Sequence, residues 1–288
     1  MLTTRIMPAL GLIRLDQLQP RHIFEFMTKL AGIKHARRDG EMITKHSQRK
    51  YYCLVSVILQ DAVYSGLLTS NPVRQVRAPC IEKHRALFYE PHDVLQLWLA
   101  LETEPLMWQA IIATGLLMGI RRGELMGLRW GDINWERNTI TIERAAFRVS
   151  KQEQCVKVPK TATSKRTIPM PAPLVPVLQA WHEQQGGTAD DYICAERPGK
   201  WLHVDAPTKW FAKFIARRCL PPLNLHGLRH TAATIMLEAG IPVKTVSEHL
   251  GHGQTSTTTN IYAHTTQVSR DQAAETMSNA VTPGKPSE

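Results

Sequence analysis

Four short stretches of the 288-residue chain concentrate residues that can do chemistry on a charged oxygen-rich group. The first is Gly119-Ile120-Arg121-Arg122-Gly123-Glu124, followed by Leu128-Arg129-Trp130 and Asp132. The second is Pro159-Lys160-Thr161, leading into Ser164-Lys165-Arg166-Thr167-Ile168-Pro169. The third is His226-Gly227-Leu228-Arg229-His230-Thr231, and the fourth runs from Leu250-Gly251-His252 to Ile261-Tyr262-Ala263-His264. Arginine offers a planar, permanently charged fork that grips two oxygens of an oxyanion at once, which lysine cannot do. Histidine and lysine can move protons near neutral pH. Tyrosine is a latent oxygen nucleophile, but with a pKa of ~10 only about one molecule in a thousand is phenolate at pH 7, a deficit of ~4 kcal/mol that neighbouring cations must reduce. His226 and Arg229 lie three apart, so a helix start would place them on one face.

In this order and spacing the four stretches resemble the tyrosine recombinase (phage integrase) family, from about Leu87 to about His264. A weaker similarity to that family's core-binding domain runs from Asn71-Pro72 back to Leu10-Gly11. The resemblance implies that Arg121 and Arg229 clamp the scissile phosphate. It implies that Lys160, at a β-hairpin, is the general acid, that His226 and His252 are the two histidines of the site, and that Tyr262 is the nucleophile. Such an enzyme cuts and rejoins DNA through a 3′-phosphotyrosine that keeps the phosphodiester's energy, so no ATP is needed. In keeping with this, the sequence has no P-loop and no carboxylate cluster suited to two-metal chemistry, and no cofactor or metal is expected. The resemblance further implies a C-shaped, two-domain clamp on double-stranded DNA and four protomers on two DNA sites. Accessory DNA-bending proteins and a prophage or other mobile element as origin are also expected. Tyr262 lies ten residues after His252, one more than is usual in the family, and the extra residue falls in the threonine-rich tract Gln254–Asn260. About nine residues precede Leu10, so the first domain is expected to be incomplete at its N-terminus.

The elements that must position these groups follow from periodicity. Pro20–Ala31 opens on a proline at a first helical position and aligns Ile23, Phe26, Met27 and Leu30. Thr44–Gly66 carries Leu54, Val55, Ile58, Leu59, Ala62 and Val63 at helical spacing after a basic start, in which Lys45, Arg49 and Lys50 are the candidate DNA-phosphate contacts. Further helices are predicted over Pro91–Leu101, Pro105–Met118, Pro173–Gln185 and Thr208–Arg218, with helices dominating from Leu228 onward. Thr139–Glu143, Phe147–Val158 and Arg166–Met170 read as strands. The expected fold is therefore mainly α with a small antiparallel β-sheet (α+β), in the two-domain architecture of DNA-breaking-rejoining enzymes. A helical core-DNA-binding domain spans 1–80, a linker 81–90 and a catalytic domain 91–288. The amphipathic stretch Val268–Ala280 is a candidate for docking on a neighbouring protomer or on its own domain.

Composition narrows the partners. The net charge is +10, the isoelectric point is near 9.5, and residues 1–80 hold 12 Lys/Arg against 5 Asp/Glu. A polyanion is the partner this favours. No apolar run reaches the ~18 residues of a membrane span, and no secretory leader is recognisable. Five scattered cysteines without CxxC spacing point to a reducing compartment, the cytoplasm, and to thiols buried in packing. Three rivals share parts of this pattern. His226, His230, His249 and His252 with Cys219 have spacings that permit zinc, but no glutamate follows His226 as a metalloprotease would require. Thr231–Gly251 can be read as a helix-turn-helix with its turn at Gly240-Ile241-Pro242, making the protein a non-catalytic DNA-binding regulator or a decayed recombinase. That reading leaves Arg121, Lys160 and Tyr262 without a purpose. A type IB topoisomerase shares the chemistry, but the motifs are worded like an integrase's.

Overall fold

A computed structural model of the chain describes residues 1–34, 42–81, 87–150, 153–157 and 165–251. The chain divides into two compact units, Met1–Arg85 and Ala86–Glu288.

The first unit is helical. A π-turn at Leu2–Ile6 runs into α1 (Met7–Leu10), followed by α2 (Pro20–Ala31) and α3 (Lys45–Tyr64). Pro20 sits at the N-terminus of α2, where its missing N–H costs nothing, and Gln19 and His22 cap the helix reciprocally. Thr44 caps α3 by accepting a hydrogen bond from the Ser47 N–H. Ile23, Phe26 and Leu30 of α2 bury against Tyr51, Val55 and Leu59 of α3, with Phe26 and Tyr51 edge to face at 6.3 Å. The chain leaves this core through Asn71, whose amide donates to the Ser56 carbonyl, and through Val73 and Val76, whose carbonyls both accept from the Tyr52 hydroxyl.

The second unit begins α4 (Pro91–Leu101), α5 (Leu106–Met118), α6 (Arg122–Gly127). Five short strands follow: β1 (Ile133–Asn134), β2 (Thr139–Ile142), β3 (Ala145–Arg148), β4 (Gln154–Lys157) and β5 (Arg166–Pro169). The described chain ends in α7 (Leu174–Gln185), α8 (Ala206–Arg217), α9 (Leu225–Glu238) and α10 (Val243–Leu250). This is the mainly helical α+β class read from the sequence. The strands differ from that reading in one respect. Phe147–Val158 is not one strand: Val149 and Ser150 turn back onto the Glu153 carbonyl, giving a separate antiparallel hairpin, β3–β4. The other sheet is antiparallel in the order β1-β2-β5.

Helix α5 is apolar around its whole circumference because it is the hub of the core, with Ala110, Ile111, Ile112 and Ala113 fully buried. Among the described residues no helix is long and apolar enough to cross a membrane. The expectation of buried thiols holds for Cys194 alone. Cys53, on the outer side of α3, and Cys80 and Cys219, in connecting segments, are exposed, and all five are free.

The end of α5 determines where the arginines sit. Gly119 takes the left-handed conformation (φ 59°), stops the helix and turns the chain directly into Arg121. A Cβ there would lie 2.7 Å from Leu250 Cδ2 and 3.0 Å from Ala232 Cβ. Gly119→Ala should therefore destabilise the protein by about 2–4 kcal/mol, from backbone strain and overpacking together, seen as a lower urea midpoint.

Candidate active site

Arg121 caps α6, and its fork is held at both ends. Nη1 donates to Glu124 Oε1 at 2.7 Å, Nη2 donates to the Gly251 carbonyl at 2.5 Å, and the backbone N–H donates to Glu124 Oε2 at 3.0 Å. Its side chain is still 40% exposed. Glu124 is buried, and burial by itself raises its pKa. Hydrogen bonds and charge from Arg166, with hydrogen bonds from Arg121, outweigh that and hold the carboxyl below its usual range.

Arg229 comes from the first half of α9 and is 3% exposed. Its Nη1 donates to the Gly119 carbonyl at 2.9 Å, while Nη2 is buried without a partner among the described residues. Burial first, and the charge of Arg121 second, push its pKa down to about 9, so it remains a cation at neutral pH. His226 lies one helical turn before Arg229, as the three-residue spacing requires. It reaches solvent, yet the protein packed around it and the charges of Arg229 and Arg121 lower its pKa. The His230 ring stands edge-on to the His226 ring at 4.8 Å; burial, then His226 and Arg229, push its pKa down to about 4. At neutral pH both imidazoles are thus neutral rather than further cations.

The structure brings Arg121, His226 and Arg229 together. Lys160, His252 and Tyr262 lie outside the described residues, as does Val268–Ala280. Lys45, Arg49 and Lys50 stand exposed along the start of α3 in the first unit, where Arg49 Nη1 also donates to the Pro79 carbonyl at 3.0 Å. Arg122 and Arg129, flanking residues in the sequence, are engaged elsewhere: Arg122 pairs with Asp205 at 2.8 Å, and Arg129 lies over the Tyr192 ring. Trp130 is core, while Asp132 pairs with Arg144 at 2.9 Å.

Two contributors were missed. Arg166 binds Glu124 through Nη2 at 2.9 Å and the His249 carbonyl through Nε at 2.7 Å. A signal for it existed. Residues directly opposite in an antiparallel pair share a face, and Arg166 pairs with Ile142, just as Ile168 pairs with the equally buried Ile140. The second is His249, whose ring nitrogen Nε2 lies 3.2 Å from the Met118 carbonyl and whose own carbonyl accepts from Arg166.

Two guanidiniums, Arg121 and Arg166, thus grip the Glu124 carboxylate, and Arg229 lies close enough to feel their charges, so the cluster keeps an excess of positive charge. Such a cluster can hold an oxyanion between its forks. The chain belongs to the phage integrase family, which its residues 88–268 match. It is 30% identical over 244 residues to the tyrosine recombinase XerC-like protein of Caldanaerobacter subterraneus, covering 76% of this chain and 62% of that protein. It is 25% identical over 239 residues to the ICEBs1 integrase of Bacillus subtilis, covering 80% and 64%. The chain therefore spans a little under two thirds of these relatives' lengths. Its fold is that of the Tn1549 transposon integrase solved with circular intermediate DNA (TM-score 0.71, 18% identity, 88% of this chain and 84% of that one). It is also that of the lambda integrase solved as a tetramer bound to a Holliday junction (TM-score 0.64, 20% identity, 89% and 68%).

Proposed function

We propose that this protein is a site-specific DNA recombinase of the integrase kind, acting on duplex DNA through a 3′-phosphotyrosine at Tyr262. The observation that carries the reading is the buried Arg229 beside Arg121, its Nη2 without a partner and Glu124 the one carboxylate bonded to Arg121 and Arg166 among the described residues. A phosphodiester brings one negative charge to this excess of positive charge. Attack on it builds further charge on the two non-bridging oxygens, which is where fixed forks stabilise the transition state most.

In the proposed reaction the Tyr262 oxygen attacks phosphorus, a P–O(tyrosine) bond forms and the bond to the 5′-oxygen breaks. A histidine, His226 or His252, takes the phenol proton, and Lys160 donates one to the departing 5′-oxygen. Rejoining reverses these steps with a 5′-hydroxyl as nucleophile, so no bond energy is lost. The exposed cations Lys45, Arg49 and Lys50 bind backbone phosphates of the same duplex, a sequence-independent contact. Assembly as four protomers on two sites, help from DNA-bending proteins, and residence on a prophage or other mobile element complete the proposal. The lambda integrase tetramer supports the first of these, and the integrase names among the relatives, a putative prophage integrase of Mycobacterium tuberculosis included, support the last.

The helix-turn-helix alternative is less favoured. Helix α10 has the bounds that reading requires, but its last turn is committed to Arg121 and Arg166, and its exposed positions include Glu248 beside a single lysine, Lys244. The test is a nicked suicide duplex, which traps a covalent intermediate. The expected result is a protein–DNA adduct that forms equally well in EDTA. Binding without adduct would favour the regulator, and strict metal dependence would overturn the mechanism.

A further inference from the structure

Arg166 is a strand residue with a 9% exposed side chain, and each of its three guanidinium nitrogens bonds inward. Nη2 and Nη1 reach the two carboxylate oxygens of Glu124 at 2.9 and 3.4 Å, and Nε reaches the His249 carbonyl at 2.7 Å. Glu124 passes this grip to Arg121, accepting from its Nη1 and from its backbone N–H. The other end of the Arg121 fork rests on the Gly251 carbonyl, two residues beyond His249. Both carbonyls lie at the negative end of α10, a favourable seat for cations. The contact is close: a Cβ on Gly251 would stand 2.6 Å from Arg166 Nη1, and the left-handed φ of 68° fits glycine there. A closed loop results, from Arg166 to Glu124 to Arg121 to the end of α10 and back to Arg166.

We propose that Arg166 is a positioning residue for the reaction argued above: by holding Glu124 and the end of α10 in one grip, it aims the Arg121 fork. The inference rests on that functional reading for its catalytic consequence, but the aiming itself is a separate physical claim. Arg166 contacts neither DNA nor nucleophile in this account. A lysine at 166 keeps the charge but gathers its donors on one freely turning nitrogen, so it cannot span the Glu124 carboxylate and the His249 carbonyl as the planar fork does.

The test compares the full chain with Arg166→Lys in two measurements. On the suicide duplex, Arg166→Lys should lower the adduct-forming rate constant about 100-fold, the effect of misplacing a reacting group by roughly 1 Å, with DNA affinity unchanged. In an Arg121→Lys background the same change should cost little more, since both act through one fork. The second measurement does not need activity. Arginine side-chain NMR of the unmodified protein should show resolved Nη signals for Arg121, identified by their loss in Arg121→Lys, because both Nη groups are held. In Arg166→Lys they should merge through free rotation. Unchanged Nη signals overturn the aiming claim. Near-normal cleavage with altered signals overturns its catalytic consequence. If the unmodified protein forms no adduct, the functional proposal fails while the NMR comparison still decides the aiming. Should Arg166→Lys fail to fold, Arg166→Gln, which keeps an N–H donor and no charge, carries the same comparison.

Discussion

Arg229→Lys should slow covalent adduct formation about a thousandfold while leaving the urea midpoint and DNA affinity much less changed. The arginine does two jobs with its two Nη groups. One is tied to the Gly119 carbonyl at 2.9 Å and fixes the plane of the fork. The other is buried and unpartnered among the described residues, so it is already desolvated and needs no reorganisation when a phosphate oxygen arrives. Lysine can reach one of these targets but not both, and it has no plane to fix. The cost of keeping a cation here is visible in the free protein, where burial and Arg121 drive the Arg229 pKa down to about 9. Such a position is hard to explain by stability alone, because an apolar side chain of similar size would remove that cost. Rapid-quench measurement of adduct formation, with binding followed separately, checks the prediction. A rate within tenfold of the unmodified protein would mean that this fork does not face the reacting phosphate.

Tyr262→Phe removes a single oxygen and should abolish the adduct while preserving DNA binding. The expected loss exceeds that of any arginine substitution, since a weaker clamp slows attack whereas a missing nucleophile prevents it. Phenylalanine retains the ring and nearly the same volume. Gel retardation and denaturing gels on the same suicide duplex separate the two properties. An adduct that persists in this variant would assign the covalent bond to another residue.

Much of the scaffold was legible because its signals are local. Pro20 and Pro91 mark the starts of α2 and α4, and the apolar spacing carries each helix to its last residue. Arg121 and Arg229 stand in motifs whose residue types announce oxyanion chemistry. Helix α6 was not legible: it is six residues long, contains Gly123 and Gly127, and is held by the Arg121–Glu124 cap rather than by propensity. The hairpin β3–β4 was read as one strand because alternation alone does not reveal a reversal whose turn is closed by backbone bonds to Glu153. The share of the site supplied by the His249 and Gly251 carbonyls was invisible for a deeper reason. Every residue carries a carbonyl, so no residue type marks the ones that fold into contact with a guanidinium. Arg166 lies between these cases, since strand periodicity placed it on the buried face with Ile168, but its partner Glu124 is 42 residues away.

The most direct test of the central claim is to isolate the DNA-linked peptide after the unmodified protein has reacted with a nicked duplex, and to sequence it by mass spectrometry. One modified peptide is expected, carrying nucleotide through a 3′-phosphate on Tyr262. A phosphate bond to any other side chain, or no DNA-linked peptide at all, would contradict it.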